Sequence, residues 1–363
     1  MHVGLLIYGD INSQSGGYLY DRQLVSYLQA QGDRVDIISL TRGSYAGELL
    51  SRGIPDELKG LQLDILIQDE LVYPRIFNIN PELRTHLNCP VVSLVHLLDS
   101  SRPQPRLRRL LAKWAERCYL KGVDGLILNS RHTRQNVAEL LAAEIPAYTI
   151  AIPAADHLVP SETVQATSPS AKKSQSLTLL YVGNVIFQKG LHVVLEALER
   201  LERGSFRLTI AGRLDMEPAY VEQLRRQIER RHLEESVQFT GPLNRSELIS
   251  CYLENDLLVL PSVNEAYGIV YIEAQGFGLP VIGTLAGGAA EIIQHGENGY
   301  LIKPGDSKAL SELLTTLNND RDLLKLMGSN ARSYFQQHPT WADSCGEIRD
   351  FLIRTIQIRD RQL

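Results

Sequence analysis

Short apolar runs alternate with longer segments of helical period from the first residue to about residue 320, and no other feature constrains the fold as much. In the first half the runs lie at residues 2–8, 33–40, 63–68, 90–96, 123–129 and 147–152. The pattern restarts at 177–183, 206–212, 236–241, 256–262, 280–284 and 299–304. Between the two sets, residues 159–176 (VPSETVQATSPSAKKSQS) lose apolar periodicity and read as a linker. Apolar strands alternating with helices predict a parallel sheet covered on both faces. Two such runs predict two Rossmann-like, doubly wound α/β domains, at 1–158 and 177–337, with a last helix over 338–363. Ligands of such sheets sit beyond the carboxyl ends of the strands, so the loops there are where function is sought. With two domains, the cleft between them is the expected place.

A length of 363 residues suits two domains rather than one core. The formal net charge of -5 gives no global reason to expect nucleic acid as a partner. The four cysteines, Cys89, Cys118, Cys251 and Cys345, form no C-x-x-C pair, which fits neither a disulfide framework nor a zinc site and suggests a reducing, cytoplasmic setting. Residues 2–10 lack the basic start of a secretory leader. The uncharged stretch 274–290 is broken by glycines and Pro280, so no membrane-spanning helix is expected.

Chemistry concentrates in the second half. The run at 177–183 ends in GNVIFQKG, where Gly183 and Asn184 open a loop and Lys189 is expected at the start of the next helix. A lysine beside exposed helix-terminal amides suits a phosphate, although a surface lysine reads equally simply. Arg213 ends the next run, "IAGR", as ligand or solvated charge. The stretch NEAYGIVYIEAQGFGLP (264–280) holds Glu265 and Glu273 with seven residues between them. Pro261 stops the preceding strand, which puts Glu265 in a loop, a helix start near Tyr267 or Gly268, and Glu273 about one and a half turns inside. Carboxylates accept pairs of hydrogen bonds from the vicinal hydroxyls of sugars and riboses. Gly268 permits close approach of a ligand, and the amides of Ala266, Tyr267 and Gly268 present the positive helix end to an anion. Acids for hydroxyls and amides for phosphate describe a nucleotide-sugar site. Compensation of the helix dipole by Glu265, and a narrow polar helix face at Glu273, are the plainer alternatives.

Together, "VGNVIFQKG", "NEAYGIVYIEAQGFGLPVIGT" and "GGAAEII…GENGYLI" resemble the retaining glycosyltransferases of family 4, with the GT-B fold and an E-x7-E motif. The resemblance covers residues 178–304 closely. It implies two Rossmann-like domains facing each other across a cleft, Glu265 on the donor sugar, Glu273 on the ribose and Lys189 on the diphosphate. It also implies a glycine loop at Ser15, Gly16 and Gly17, His96 near the transferred sugar, and a last helix from about Trp341 that returns to the first domain. The implied reaction transfers a sugar from a nucleoside diphosphate sugar to a carbohydrate, lipid-linked or small-molecule acceptor, with no cofactor and no obligatory metal. Three positions depart from the family: Asn184 replaces an arginine, with Arg213 a possible substitute, and Ala266 and Tyr267 alter the usual E-G-F-G. Asn184 also favours a rival reading, a non-catalytic sugar-nucleotide or glycan binder. An NAD-dependent oxidoreductase is disfavoured, because G-x-G-x-x-G is absent after the first strand. Residues 102–121, with seven basic residues and one acid, read as a basic amphipathic helix that could touch an anionic membrane. The plainer reading is a covering helix with Trp114 in the core.

Overall fold

The computed structural model of the chain describes residues 1–159 and 176–361. It divides into two compact units, Met1–Pro153 with Pro339–Leu363, and Ala154–His338. The first runs β1 (His2–Tyr8), α1 (Gly16–Ala30), β2 (Arg34–Leu40), α2 (Tyr45–Leu50), β3 (Ile65–Asp69), α3 (Tyr73–Ile76), α4 (Asn80–Leu87), β4 (Val91–Val95), α5 (Arg106–Lys121), β5 (Gly125–Leu128), α6 (Arg131–Leu141) and β6 (Tyr148–Ile150). The second runs β7 (Leu177–Val182), α7 (Leu191–Leu198), β8 (Phe206–Ala211), α8 (Pro218–Arg231), β9 (Val237–Gly241), α9 (Arg245–Glu254), β10 (Leu257–Val259), α10 (Ile269–Gly276), β11 (Val281–Thr284), β12 (Gly299–Ile302), α11 (Ser307–Asn319) and α12 (Arg321–Gln337). A last helix, α13 (Trp341–Asp360), belongs to the first unit.

Each unit holds one six-stranded sheet, in the order β2-β1-β3-β4-β5-β6 and β12-β11-β10-β7-β8-β9, with every paired strand parallel. Inner strands are buried on both faces, as in β4, where all five residues are buried, whereas the edge strand β2 exposes Arg34, Ile37 and Ser39. That contrast is why inner strands read as unbroken apolar runs. In each sheet the chain builds outward in one direction and then returns to the other side of its first strand. The strand order therefore reverses between β1 and β3, and between β7 and β10.

The unit boundary lies at Pro153/Ala154, upstream of the linker expected at 159–176, of which residues 160–175 fall outside the described residues. The reason is local packing. Leu158 and Val159 are buried, and His157 reaches the carboxylate of Glu273 at 3.5 Å, so the segment ahead of the composition change is already part of the second unit. At the other end α13 packs on α1 and β6. Trp341 meets the Tyr20 ring edge-on at 5.3 Å, the Ser344 hydroxyl donates to the Ile152 carbonyl at 2.6 Å, and Arg349 pairs with Asp33 at 2.7 Å. Asp33 also holds the Met1 amine at 2.8 Å, so one buried carboxylate joins α13 to the start of β1.

Helix α5 corrects the expectation for Trp114. Its buried face is Ala112, Ala115, Glu116, Tyr119 and Leu120, while Trp114 is 55% exposed along with Leu107, Leu110 and Leu111. The two stripes share the same spacing and lie five residues apart, about 140° around the helix. Periodicity fits both equally, and the small alanines let the helix approach the sheet closely. Trp114 meets the Phe77 ring edge-on at 5.0 Å.

The inward stripe carries an acid. Burial pushes the Glu116 carboxyl up to about 7, although its Oε1 accepts from the Ser100 amide at 3.3 Å. The folded state therefore binds a proton that the unfolded state releases near its ordinary value. Stability should fall as pH rises between about 4.5 and 7, by about 3 kcal/mol in total. Denaturation midpoints at pH 5 and pH 8 should show this loss in the wild type and not in Glu116→Gln; equal pH dependence in both would contradict it.

Candidate active site

The loops that follow β7 and β10 stand at the strand-order reversal, and both carry candidate residues. After β7 the chain passes through Gly183 and Asn184 and makes a 3-10 turn over Phe187–Lys189. Lys189 thus ends a turn ahead of α7 rather than opening the helix. Gly190, at φ 74°, reverses the backbone there, and a Cβ on it would lie 2.2 Å from the Pro261 carbonyl oxygen. The two loops are in direct contact. The Val263 amide donates to the Gln188 carbonyl at 2.8 Å, and the Gln188 side-chain amide donates to the Asn264 carbonyl at 3.0 Å.

Across this contact Lys189 Nζ meets Glu265 Oε2 at 2.5 Å, and the Ser262 hydroxyl donates to the same oxygen at 3.1 Å. Both side chains are largely but not fully buried, 25% and 13% exposed. Glu265 is held through its backbone as well. Its carbonyl accepts from the Gly288 amide at 2.7 Å, and it bridges Gly287. Gly287 and Gly288 are needed for that approach, because added Cβ atoms would sit 2.0 Å from the Glu265 oxygen and 2.2 Å from the Ala266 oxygen. Gly268, at φ 97°, is the N-cap of α10, and Ile269 is its first residue. The helix therefore starts one residue past the expected point, just after the loop that carries Glu265. Such an amide terminus beside a cation suits an anionic group.

Other candidates are placed differently. Glu273 is buried in α10, with Tyr252 Oη donating to its Oε2 at 2.7 Å and His157 Nε2 at 3.5 Å from Oε1. It faces into the unit rather than along an open wall. Tyr267 is buried too, its hydroxyl 2.7 Å from His338 Nε2, and burial pushes that hydroxyl's pKa well up. It points at the end of α12 and not over Glu265. Arg213 makes a two-point pair with Asp215 at 3.0 and 2.8 Å, which raises the arginine further, so its guanidinium is already occupied. Its backbone carbonyl accepts from the Val185 amide at 2.9 Å, next to Asn184.

In the first unit the reversal lies between β1 and β3. Ser15 caps α1 by accepting from the Tyr18 amide at 3.2 Å, so Gly16 and Gly17 form a helix start rather than a loop. A Cβ on Gly17 would lie 3.4 Å from the His96 ring. His96 follows β4, where the Glu70 carboxylate accepts from the amides of His96 and Leu97 at 2.7 and 3.2 Å. Its ring nitrogen Nε2 is 3.4 Å from Asp21 Oδ1. Burial alone would lower the His96 pKa, but the bond to Asp21 and the charges of Glu70, Asp21 and Asp69 carry it up to about 10. Burial raises both Asp69 and Glu70. Spacing did not single out Asp21, Asp69 or Glu70, because three elements bring them together. The available signal was a carboxylate at Asp21, between the buried Tyr20 and Leu24 of α1.

Residues 165–334 match the model of one family, the glycosyl transferases group 1. A D-inositol 3-phosphate glycosyltransferase of Corynebacterium glutamicum is 24% identical over 87% of this chain and 81% of its own. An uncharacterised glycosyltransferase of Methanocaldococcus jannaschii is 34% identical over 45% of this chain, which spans 41% of that protein. Among solved structures, the sucrose-phosphate synthase of Thermosynechococcus elongatus superposes with a TM-score of 0.81 at 18% identity, over 98% of this chain and 99% of that one. HepE of Anabaena, solved with UDP and glucose, gives 0.75 at 19% identity over 97% and 99%. The chain has the GT-B fold. In this GT-B chain the family match contains both loops of the second unit, and so the Lys189–Glu265 pair.

The glycine pair behind Glu265 generates a prediction. Gly288→Ala forces a Cβ into the Ala266 carbonyl and should cost about 2 kcal/mol or more while displacing the Glu265 loop. Thermal denaturation reads this directly, and an unchanged midpoint would mean that the loop yields without strain.

Proposed function

We propose that the chain is a retaining glycosyltransferase that moves a sugar from a nucleoside diphosphate sugar to an acceptor hydroxyl. The observation that carries this reading is the Lys189–Glu265 pair at the strand-order reversal of the second sheet. In the free protein each partner neutralises the other. A bound donor would divide the pair, its diphosphate taking the lysine and a sugar hydroxyl donating to Glu265. The cation and the amides at the start of α10 would then stabilise the charge that develops on the departing diphosphate, which calls for no obligatory metal. The C–O bond to phosphate breaks, the acceptor oxygen bonds to the same face of the anomeric carbon, and the leaving phosphate oxygen takes the acceptor proton. Glu265 positions the sugar. Glu273 would reach a ribose by exchanging Tyr252 and His157 for its hydroxyls. Because HepE was solved with UDP and glucose, UDP-glucose is the first donor to test.

Asn184 in place of arginine, with Arg213 committed to Asp215, favours a second reading in which the chain binds a sugar nucleotide without transferring it. Transfer and donor hydrolysis over a panel of nucleotide sugars separate the two. Under the transferase reading, Glu265→Ala and Lys189→Ala should each lower turnover by about 100-fold or more with the fold intact by circular dichroism. Full activity in Glu265→Ala would end the assignment.

No helix among the described residues is long and apolar enough to cross a membrane. The four cysteines form no disulfide, in keeping with a cytoplasmic location. The exposed stripe of α5, flanked by exposed Arg106, Arg108, Arg109, Lys113 and Arg117, supports peripheral contact with an anionic membrane face. Flotation with anionic liposomes should carry the wild type, and Leu107→Glu with Trp114→Glu should abolish it; flotation with neutral lipid alone, or none, would refute the contact.

A further inference from the structure

The first sheet has its own reversal, between β1 and β3, and a different set of groups stands there. Asp21 comes from α1, Asp69 is the last residue of β3, and His96 follows β4, the neighbour of β3. One carboxylate oxygen of each aspartate and a ring nitrogen of His96 all lie within 4.8 Å of one another. Asp21 and Asp69 are 0% and 1% exposed. Asp69 Oδ1 accepts from the Leu71 amide at 2.8 Å, and Asp21 Oδ1 faces His96. The second oxygens of both, Asp21 Oδ2 and Asp69 Oδ2, are buried without a hydrogen-bond partner among the described residues. Glu70 does not relieve them, since both its oxygens are engaged by the amides of His96 and Leu97. Buried carboxylates with orphan oxygens are costly unless a cation or hydrogen-bond donors complete them.

We propose that Asp21, Asp69 and His96 form a binding site for a divalent transition-metal ion of the zinc class. Two carboxylate oxygens and one imidazole nitrogen are the mixed donors such ions prefer, whereas calcium and magnesium favour oxygen alone. Metal–ligand distances of about 2.1 Å require the three donor atoms to draw in from a spread of up to 4.8 Å. The second shell is already built. Glu70 fixes the His96 backbone, the His96 carbonyl accepts from Asn129 Nδ2 at 3.0 Å, and the Tyr20 ring packs edge-on at 5.3 Å. At the start of α1, ahead of Asp21, Ser15 and Gly16 are exposed. The inference does not depend on the transferase reading, and its readout is metal binding rather than turnover.

The full chain, freed of metal with a chelator, is titrated with Zn2+ by calorimetry and with Co2+ by visible absorption. One saturable ion per chain is expected. Asp21→Asn and Asp69→Asn should each weaken it by more than about 100-fold, beyond the loss of a mere supporting partner. His96→Gln should change the Co2+ spectrum by removing its nitrogen donor. If the aspartate variants do not fold, 15N-histidine labelling of the wild type decides the matter. Zinc must then move the ring signals of one of the nine histidines, identified as His96 by their absence in His96→Gln. No saturable binding would mean that a proton shared by the two carboxylates neutralises the cluster, and undiminished binding in both aspartate variants would place the ion elsewhere. Either result overturns the proposal.

Discussion

Each sheet sends its second strand to one side of its first and a later strand to the other, so the connections above the split leave in opposite directions. That arrangement puts strand ends and helix starts at the reversal without breaking any ladder of hydrogen bonds. In the second sheet the loops of Lys189 and Glu265 meet there, and in the first the reversal carries Asp21 on α1 and Asp69 at the end of β3. Every residue argued to carry chemistry is placed by one of these two reversals or by a loop on the adjacent strand.

The two reversals differ in electrostatic character. Above β7 and β10 a cation meets an acid at 2.5 Å, so the free site is close to neutral and partners are exchanged when a charged ligand enters. Above β1 and β3 the acids outnumber the one imidazole, and two carboxylate oxygens have no partner. A neutral pair suits a ligand that is taken up and released. An unbalanced cluster suits a permanent neutralising partner, because a buried uncompensated charge is costly.

Much of this was legible in the sequence, and the exceptions share a cause. Alternating apolar runs located the strands because a doubly covered parallel sheet leaves no other pattern, and the loops after β7 and β10 followed from strand ends at Gly183 and Pro261. What the pattern lacks is azimuth and distance. Helix α5 carries two stripes of identical spacing, and the turning of the helix, decided by Ala112 and Ala115 against the sheet, put Trp114 outside. Glu273 reads as a polar position, yet the hydroxyl of Tyr252, 21 residues earlier in the chain, holds it inside. Asp21 and His96 are 75 residues apart, and only the crossing of β1, β3 and β4 makes them neighbours.

The chain passes from the first unit to the second at Pro153 and back at Pro339. The second unit is therefore one uninterrupted segment, while the first is assembled from two pieces separated by the whole of the other. During synthesis the second unit can finish folding while the first still lacks α13, and Tyr20, Asp33 and Ile152 wait for partners made after that unit. A chain released after α12 would leave the Lys189–Glu265 region complete and the earlier-made unit without α13. The unit begun first is thus completed only by a segment made after the whole of the other.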